Sequence, residues 1–478
     1  MKVNDTRDGL LAMIRNGKPM SLRQQLRLTA VLSFPAIVAQ LSTIVMQYID
    51  AAMVGSLGAE SSASIGLMAS STWLFWGLCS AAATGFSVQV ANRIGANDKK
   101  SAQAVLKQSI VPSLIFSVIL CLIGIAICNH LPLWLGAEEE IARPASVYFM
   151  IFVASLPMLQ ISFLAGAMLR CSGNTLFPGI VNVVMCVLDV IFNAFLIFPT
   201  REIFIGGSSV TLPGAGLGVA GAALGTALAE VVAGTVMMVY LWRCNKELNL
   251  KGCTASFRTS KECLKRAFKI STPLCGEHFL LCGAQVLITA IVAPLGTVAI
   301  AANAFAVTAE SFCYMPGYGI CEAATTLVGQ SLGAARKKLA VSFARITVTS
   351  GIVVMTVMGI VMYFAAPLMM GVITPVKEIC DAGVEVLRIE AYAEPMFAAS
   401  IVAYGVFIGA GDTLIPACMN LGSIWVVRIS LAAFLAPTMG LRGVWIAMAI
   451  ELCFRGIIFL WRLRTDSWMH VNKDVFGK

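Results

Sequence analysis

Charge is what this sequence has least of. Only 12% of its 478 residues are Asp, Glu, Lys or Arg, while 58% are hydrophobic; a soluble globular domain carries about 25% charged residues. The composition asks for lipid, not water, as solvent. Histidine is nearly absent, at three residues (His130, His278, His470). No HExxH or similar zinc constellation can be written from them, which disfavours a metal-dependent membrane enzyme. No GxxxxGK[ST] occurs, so ATP-driven pumping has no phosphate cradle. Cysteine is common, at 15 residues, yet there is no CxxC pair and no Cys/His cluster. Cys79, Cys121, Cys186 and Cys282 sit inside apolar runs, as small buried residues do. A compact signal-peptide layout is missing too: the first apolar run begins near Leu28 behind a charged leader, and no cleaved signal is expected.

What the chain has instead is apolar length. A crossing helix needs about 20 largely apolar residues. Runs that meet this lie near 28–54, 63–91, 105–128, 144–168, 176–199, 216–242, 268–293, 298–328, 340–366, 381–409, 413–437 and 441–461. Twelve crossings put both termini on one side. Of the 34 Lys and Arg, 28 fall on that side, in the leader, the alternate loops and the tail. The other side has Arg143, Arg201, Lys377 and Arg442 beside the acidic run Glu138–Glu140; Arg388 and Arg428 fall inside spans. The positive-inside bias makes the basic side cytoplasmic. A net charge of +9 distributed this way reflects topology, and no nucleic-acid partner is expected.

The chain also repeats itself. Adding 238 to a position in the first half recovers a partner in the second: Pro35 and Pro273, Gly58 and Gly296, Gly95 and Gly333, Pro157 and Pro395, Gly173 and Gly411, Asn182 and Asn420. IGANDKKSA matches LGAARKKLA, and SGNTLFP matches AGDTLIP. The expected fold is an all-α integral membrane protein, its twelve transmembrane helices in two pseudo-symmetric six-helix lobes. Residues 1–27 form a cytoplasmic leader, 28–242 the first lobe, 243–267 a cytoplasmic linker, 268–464 the second lobe and 465–478 a cytoplasmic tail. Parallel repeats of this kind place substrate sites at their interface near mid-membrane, which points to a secondary transporter.

Ionisable groups within spans are costly and so are functional candidates. Asp50 lies about 6 Å inside the outer end of the first span; Asn193 and Asp189 lie about 9 and 15 Å inside the outer end of the fifth. Asp189 and Asn193 are four apart, on one helix face. Thr226 lies about 15 Å deep in the sixth span. The repeat partners of Asp50, Asp189 and Asn193 are Ile288, Val427 and Leu431, so this polar set belongs to one lobe. The second lobe buries Glu277, Glu310 and Glu394, with Glu390 one turn from Glu394 on the same face. Arg388, Arg428 and His278 are candidate partners for Glu277 and Glu310. Pro316 and Gly317 mark an expected kink. Phe305, Phe312, Tyr314 and Met315 either pack or line an apolar cavity.

Several segments resemble the multidrug and toxic compound extrusion (MATE) family: IDAAMVGSLGAESSASIG, MLRCSGNTLFP, IGAGDTLIP, ESFCYMPGYG followed by TLVGQSLGA, and GLRGVWIAMAIE. The resemblance runs over nearly the whole chain. It implies a two-lobed V of twelve helices and export of organic, often cationic, compounds in exchange for protons or sodium ions. It also matches Asp50 to the family's first-helix acid and Thr226 to its sixth-helix Thr. Asp189 and Asn193 match the fifth-helix Asn and Asp with the two types exchanged. On this reading Asp50, Asp189, Asn193 and Thr226 couple the cation, while Glu277, Glu310 and Glu394 meet substrate or a second cation. Glu277 sits one turn before the acid that some members carry in helix seven, where this chain has Leu281. No cofactor or resident metal is expected, only H+ or Na+ as coupling ion. The expected setting is the plasma (inner) membrane, with small organic cations and membrane lipid as partners and the protein a monomer. A lipid-linked precursor flippase is the alternative, and a membrane-embedded enzyme a more distant one. The orientation has a direct test: cysteine-accessibility labelling from outside the cell is expected to leave 243–269 unmodified, and clear labelling there would reverse it.

Overall fold

The computed structural model describes residues 7–205, 208–251, 253, 256–465 and 467–469. Its helices begin where the sequence supplies caps. Ser21 accepts from the Gln24 amide and the Gln24 side chain returns to the Ser21 amide, a capping box that opens α2 (Leu22–Gly55). Asp98 caps α4 (Lys99–Ile127) through the Ser101 amide, and Ser260 caps α9 (Lys261–Val292) through the Cys263 amide. The first lobe is α2, α3 (Ala59–Gly95), α4, α6 (Glu139–Cys171), α7 (Leu176–Leu196) and α8 (Val219–Arg243). A short α5 (Leu131–Trp134) precedes α6, and an antiparallel hairpin of β1 (Pro199–Ile205) and β2 (Ser208–Ala215) joins α7 to α8. The second lobe is α9, α10 (Thr297–Gly333), α11 (Lys337–Ile373), α12 (Lys377–Ala391), α13 (Glu394–Ala410), α14 (Leu414–Gly422) and α15 (Ile429–Arg464).

The helix count needs care. Among the described residues ten helices are long and apolar enough to cross a membrane, and α12 with α13, bent by 61°, make an eleventh crossing. The last of the ten, Leu414–Arg464, has 51 residues; straight, it would reach about 76 Å, far beyond a hydrocarbon core of about 30 Å. It is not straight. Gly440 has non-helical torsions (φ 60°, ψ −144°), and the Ser423 hydroxyl donates to Glu451 at 2.5 Å, although a straight helix would separate the two by about 42 Å. The chain folds back at Gly440, and that stretch crosses twice.

The duplication is visible in the backbone. Gly58 and Gly296 (φ 121° and 101°), Asn97 and Ala335 (59° and 57°), and Gly173 and Gly411 (88° and 81°) are each 238 apart and each left-handed. The non-glycine pair closes the matching GANDKK and GAARKK turns. The same symmetry governs the joint between lobes. A Cβ on Gly95 would lie 2.0 Å from the Gln330 carbonyl oxygen, and one on Gly333 would lie 2.0 Å from the Asn92 carbonyl oxygen. Around this joint Gln330 donates to the Cys171 carbonyl at 2.8 Å, Thr326 to the Arg170 carbonyl at 3.2 Å, and Arg170 pairs with Glu322 at 3.4 Å. These bonds hold the lobes together at their basic ends.

The structure corrects several expectations. Residues 7–15 of the leader form a helix, α1 (Arg7–Arg15), whose Leu10, Leu11, Met13 and Ile14 are buried. They pack against Leu28 and Leu32 of the first lobe and Ala323, Leu327, Leu339 and Phe343 of the second. Arg15 pairs with Glu247 at 2.5 Å, and Arg336 donates to the Met13 carbonyl at 3.0 Å. Asp8 takes a hydrogen bond from Lys246 at 2.9 Å; that bond, with Arg7 beside it, holds the Asp8 carboxyl below the usual carboxylate range. The helix following the linker starts at Lys261, ahead of the expected 268. Pro316 and Gly317, where the sequence predicts a kink, both lie within the helical run of α10. The tail beyond Met469 and residues 1–6 lie outside the described residues. Since backbone cannot yield at the joint, Gly95→Val and Gly333→Val are each expected to lower the melting temperature of purified protein by about 5 °C, and by similar amounts; thermal denaturation in detergent measures it.

Candidate functional site

Helix α7 presents Asp189 and Asn193 on one face, both fully buried. Both meet Asp50, near the outer end of α2. The Asn193 amide nitrogen donates to Asp50 Oδ1 at 2.8 Å and to Asp189 Oδ2 at 3.1 Å. The Asp50 and Asp189 carboxyls are themselves within hydrogen-bond reach of one another. Thr226, on α8, lies against the Asp189 carboxyl as well as the Ala222 carbonyl, to which its hydroxyl donates at 3.2 Å. All four residues picked from the sequence therefore converge. Two acceptors remain without a partner, Asp189 Oδ1 and Asn193 Oδ1.

Three further residues surround this group that the sequence reading missed. Glu230 follows Thr226 by one turn, bonds the Ser162 side chain and faces Asp189; its i+4 spacing from Thr226 was the available signal. Tyr148 of α6 stands near both aspartates, and nothing in its local sequence announces that. Gly225 is the third. A Cβ there would sit 2.0 Å from Asn193 Oδ1, so α8 approaches α7 this closely only because the residue before Thr226 is glycine.

The second lobe distributes its acids differently. Glu277 accepts from Asn420 at 2.7 Å and from the Tyr404 hydroxyl, not from His278. Glu390 and Glu394 are fully buried, and none of their four carboxylate oxygens has a hydrogen-bond partner. They do not share a helix face as expected: Glu390 ends α12, Glu394 starts α13, and the 61° bend lies between. Glu310 faces Arg428 and Arg455 at longer range. Arg428 instead pairs with Glu451 at 3.3 Å, and Arg455 joins the same carboxylate at 3.0 Å. Arg455 thus belongs to a buried ionic cluster, not to the cytoplasmic charge count. Phe305 packs against the core of this lobe; Tyr314 packs against Tyr318 and Phe397. Phe312 meets the other lobe, its ring 5.3 Å from the Tyr48 ring. Among the described residues no group of three or more His, Cys, Asp or Glu is arranged to hold a metal ion.

A duplicated six-span bundle with carboxylates gathered inside each copy defines a polytopic membrane transporter. The family model for MatE matches residues 35–195 and again 273–434, one match in each lobe, and the chain belongs to that family. It is 24% identical over 439 residues, 91% of this chain and 92% of the relative, to a probable multidrug resistance protein NorM of Thermotoga maritima. It is 24% identical to the uncharacterized transporter YisQ of Bacillus subtilis, over 88% of this chain and 90% of that one. Its fold matches an outward-facing multidrug resistance MATE transporter of the MOP superfamily with a TM-score of 0.84, at 20% identity, over 98% of this chain and 99% of the other. A MOP superfamily transporter from Pyrococcus furiosus matches with the same score and identity, over 96% and 98% of the two chains.

The close approach at Gly225 is testable. Gly225→Ala is expected to push Asn193 off the aspartates at a cost of about 1–3 kcal/mol, leaving the protein in the membrane with ion-driven transport reduced roughly tenfold. Efflux at matched expression is the measurement, and unchanged transport would mean that this contact does not matter.

Proposed function

We propose that the chain is a secondary antiporter that expels organic cations carrying aromatic groups, driven by protons returning through the first lobe. The observation that carries the ion site is the Asn193 amide nitrogen shared between Asp50 and Asp189. Two carboxylates in mutual contact, Asp189 fully buried and Asp50 half-buried, repel one another, and a positive charge between them relieves that repulsion. A proton suits this geometry better than sodium. Asn193 turns its donor, not its oxygen, toward the pair, and the two carboxyls lie beside one another. Sodium, a hard cation, would call for oxygens on every side.

The substrate class rests on the second lobe and on the relatives. Glu277, Glu310 and Glu394 add negative charge to that lobe's interior, and Tyr48 with Phe312 supplies aromatic faces where the lobes meet; such faces attract cations. Relatives described as multidrug resistance proteins support export of organic compounds. The basic ends are cytoplasmic on the positive-inside bias, and the plasma membrane is the matching location.

Asp50→Asn should mimic the protonated carboxyl. The variant is expected to fold and reach the membrane, yet to lose proton-driven efflux from proteoliposomes by at least tenfold. Wild-type efflux that still answered an imposed proton gradient would remove Asp50 from the coupling step; a wild-type protein driven by a sodium gradient alone would replace the proton.

A further inference from the structure

The outer half of the tenth crossing carries charges that the transport site does not use. Helix α12 places Asp381, Glu385, Arg388 and the following Tyr392 three to four residues apart, on one face. That face is the floor of a cleft of about 420 Å³, walled by Tyr363 of α11 on one side and Arg442 of α15 on the other. The cleft opens toward lipid: Phe364, Leu368 and Val372, beside Tyr363 on α11, are each more than 70% exposed, and so is Tyr392.

The charges in it are incompletely paired. Glu385 and Arg442 bond each other at 3.3 Å. Among the described residues Arg388 has no acidic partner: its Nε donates to the Tyr363 carbonyl at 3.3 Å and its guanidinium lies 5.4 Å over the Tyr363 ring. That carbonyl is free because the residue four positions on is Pro367, which has no N–H to offer. The guanidinium is thus anchored through Nε and by its face, and among the described residues its terminal nitrogens make no hydrogen bond. Asp381, two turns nearer the outer end, has no ion-pair partner among the described residues either. An unpaired guanidinium and an unpaired carboxylate facing lipid about 10 Å apart along a helix axis are costly.

We infer that this cleft binds the headgroup of an outer-leaflet phospholipid bearing a primary ammonium, with its phosphate on Arg388 and its ammonium toward Asp381. The order matches a lipid in the bilayer, whose phosphate lies deeper than its amine and whose acyl chains continue inward over Tyr392. Guanidinium forks suit phosphate oxygens, and tyrosines suit the interface. A quaternary ammonium cannot donate to Asp381, so ethanolamine should be preferred over choline. An anionic glycerol headgroup would satisfy Arg388 alone. The leaflet rests on the cytoplasmic assignment of the basic ends; the binding chemistry does not.

The experiment is native mass spectrometry of the purified, delipidated full chain titrated with phosphatidylethanolamine, phosphatidylcholine or phosphatidylglycerol, with no transport readout, so that failure of the proton-coupling reading leaves it intact. Wild type is expected to bind phosphatidylethanolamine at least fivefold more tightly than either other lipid. Arg388→Ala is expected to lose that binding at least tenfold. Asp381→Asn is expected to bring phosphatidylethanolamine down to the level of phosphatidylcholine while leaving phosphatidylglycerol unchanged. Melting temperatures in detergent establish that the variants are folded, and Arg388→Lys, which keeps charge without the fork, should recover part of the affinity. Equal affinity for all three lipids, or Arg388→Ala binding like wild type, would overturn the inference.

Discussion

Two glycines hold this transporter together by having no side chain. Gly95 and Gly333 let the ends of α3 and α10 touch backbone to backbone, each against a carbonyl of the other helix. The two contacts are copies of one another under the 238-residue repeat, so they lie on either side of the pseudo-twofold axis. A joint without side chains has no slack to slide, and one on the axis favours rocking over translation. Everything else on the basic side reinforces it: Gln330 on the Cys171 carbonyl, Arg170 on Glu322, and α1 wedged beneath both lobes. Opening that side means releasing these bonds together, which gives two discrete states and not a continuum.

Much of this was legible in the sequence because lipid imposes simple rules. Apolar length and a fixed offset were enough to read the crossings and the duplication. Asp50, Asp189 and Asn193 were readable because a polar group at membrane depth stands out against its apolar repeat partner, and Thr226 by its depth in the sixth span. The break in the tenth crossing was not read, although its signal was there. Pro395 cannot donate to the Ala391 carbonyl, and proline at the first turn of a helix marks a start. The repeat itself obscured this, since its partner Pro157 sits inside an unbroken α6. Gly225 and Tyr148 were out of reach for another reason: their importance depends on which helix lies beside them. The same holds for α1, too short for a span and recognisable only once two lobes exist for it to bridge.

Duplication built the scaffold, and divergence furnished the two interiors differently. Glu277, Glu310, Glu390 and Glu394 correspond to Ala39, Thr72, Phe152 and Leu156 in the first lobe. In the reverse direction the first-lobe acids face apolar residues. Each copy therefore keeps the turns and the joint, which both need, and places these interior acids where the other has uncharged residues. Proline is used in a like manner. Pro367 and Pro395 each release a carbonyl in the second lobe; one anchors Arg388, and the other lies 3.0 Å from where a Cβ of Gly359 would stand. The released carbonyls serve packing and polar contacts that a regular helix could not make.

The energetics limit what the first-lobe site can do alone. Moving a two-state protein from 1:99 to 99:1 takes about 5.5 kcal/mol of differential binding. A proton supplies about 1.4 kcal/mol for each unit by which the affinity of its site differs between the states. One carboxyl would need roughly four units of difference to drive the whole swing. The Asn193 bridge is a source of part of it. Its bond to Asp50 joins α7 to α2 and is about twice as strong to a carboxylate as to a neutral carboxyl, so protonation loosens one helix contact within the lobe. That is worth only about 1–2 kcal/mol. On the proposed function the remainder has to come from substrate, with the acids of the second lobe as its proposed contacts. On that proposal, a cation bound there neutralises acids on the other side of the same joint, so that proton entry and cation release would bias the two lobes in the same sense. Exchange, and not leak, follows when neither ligand alone can pay for the change of state.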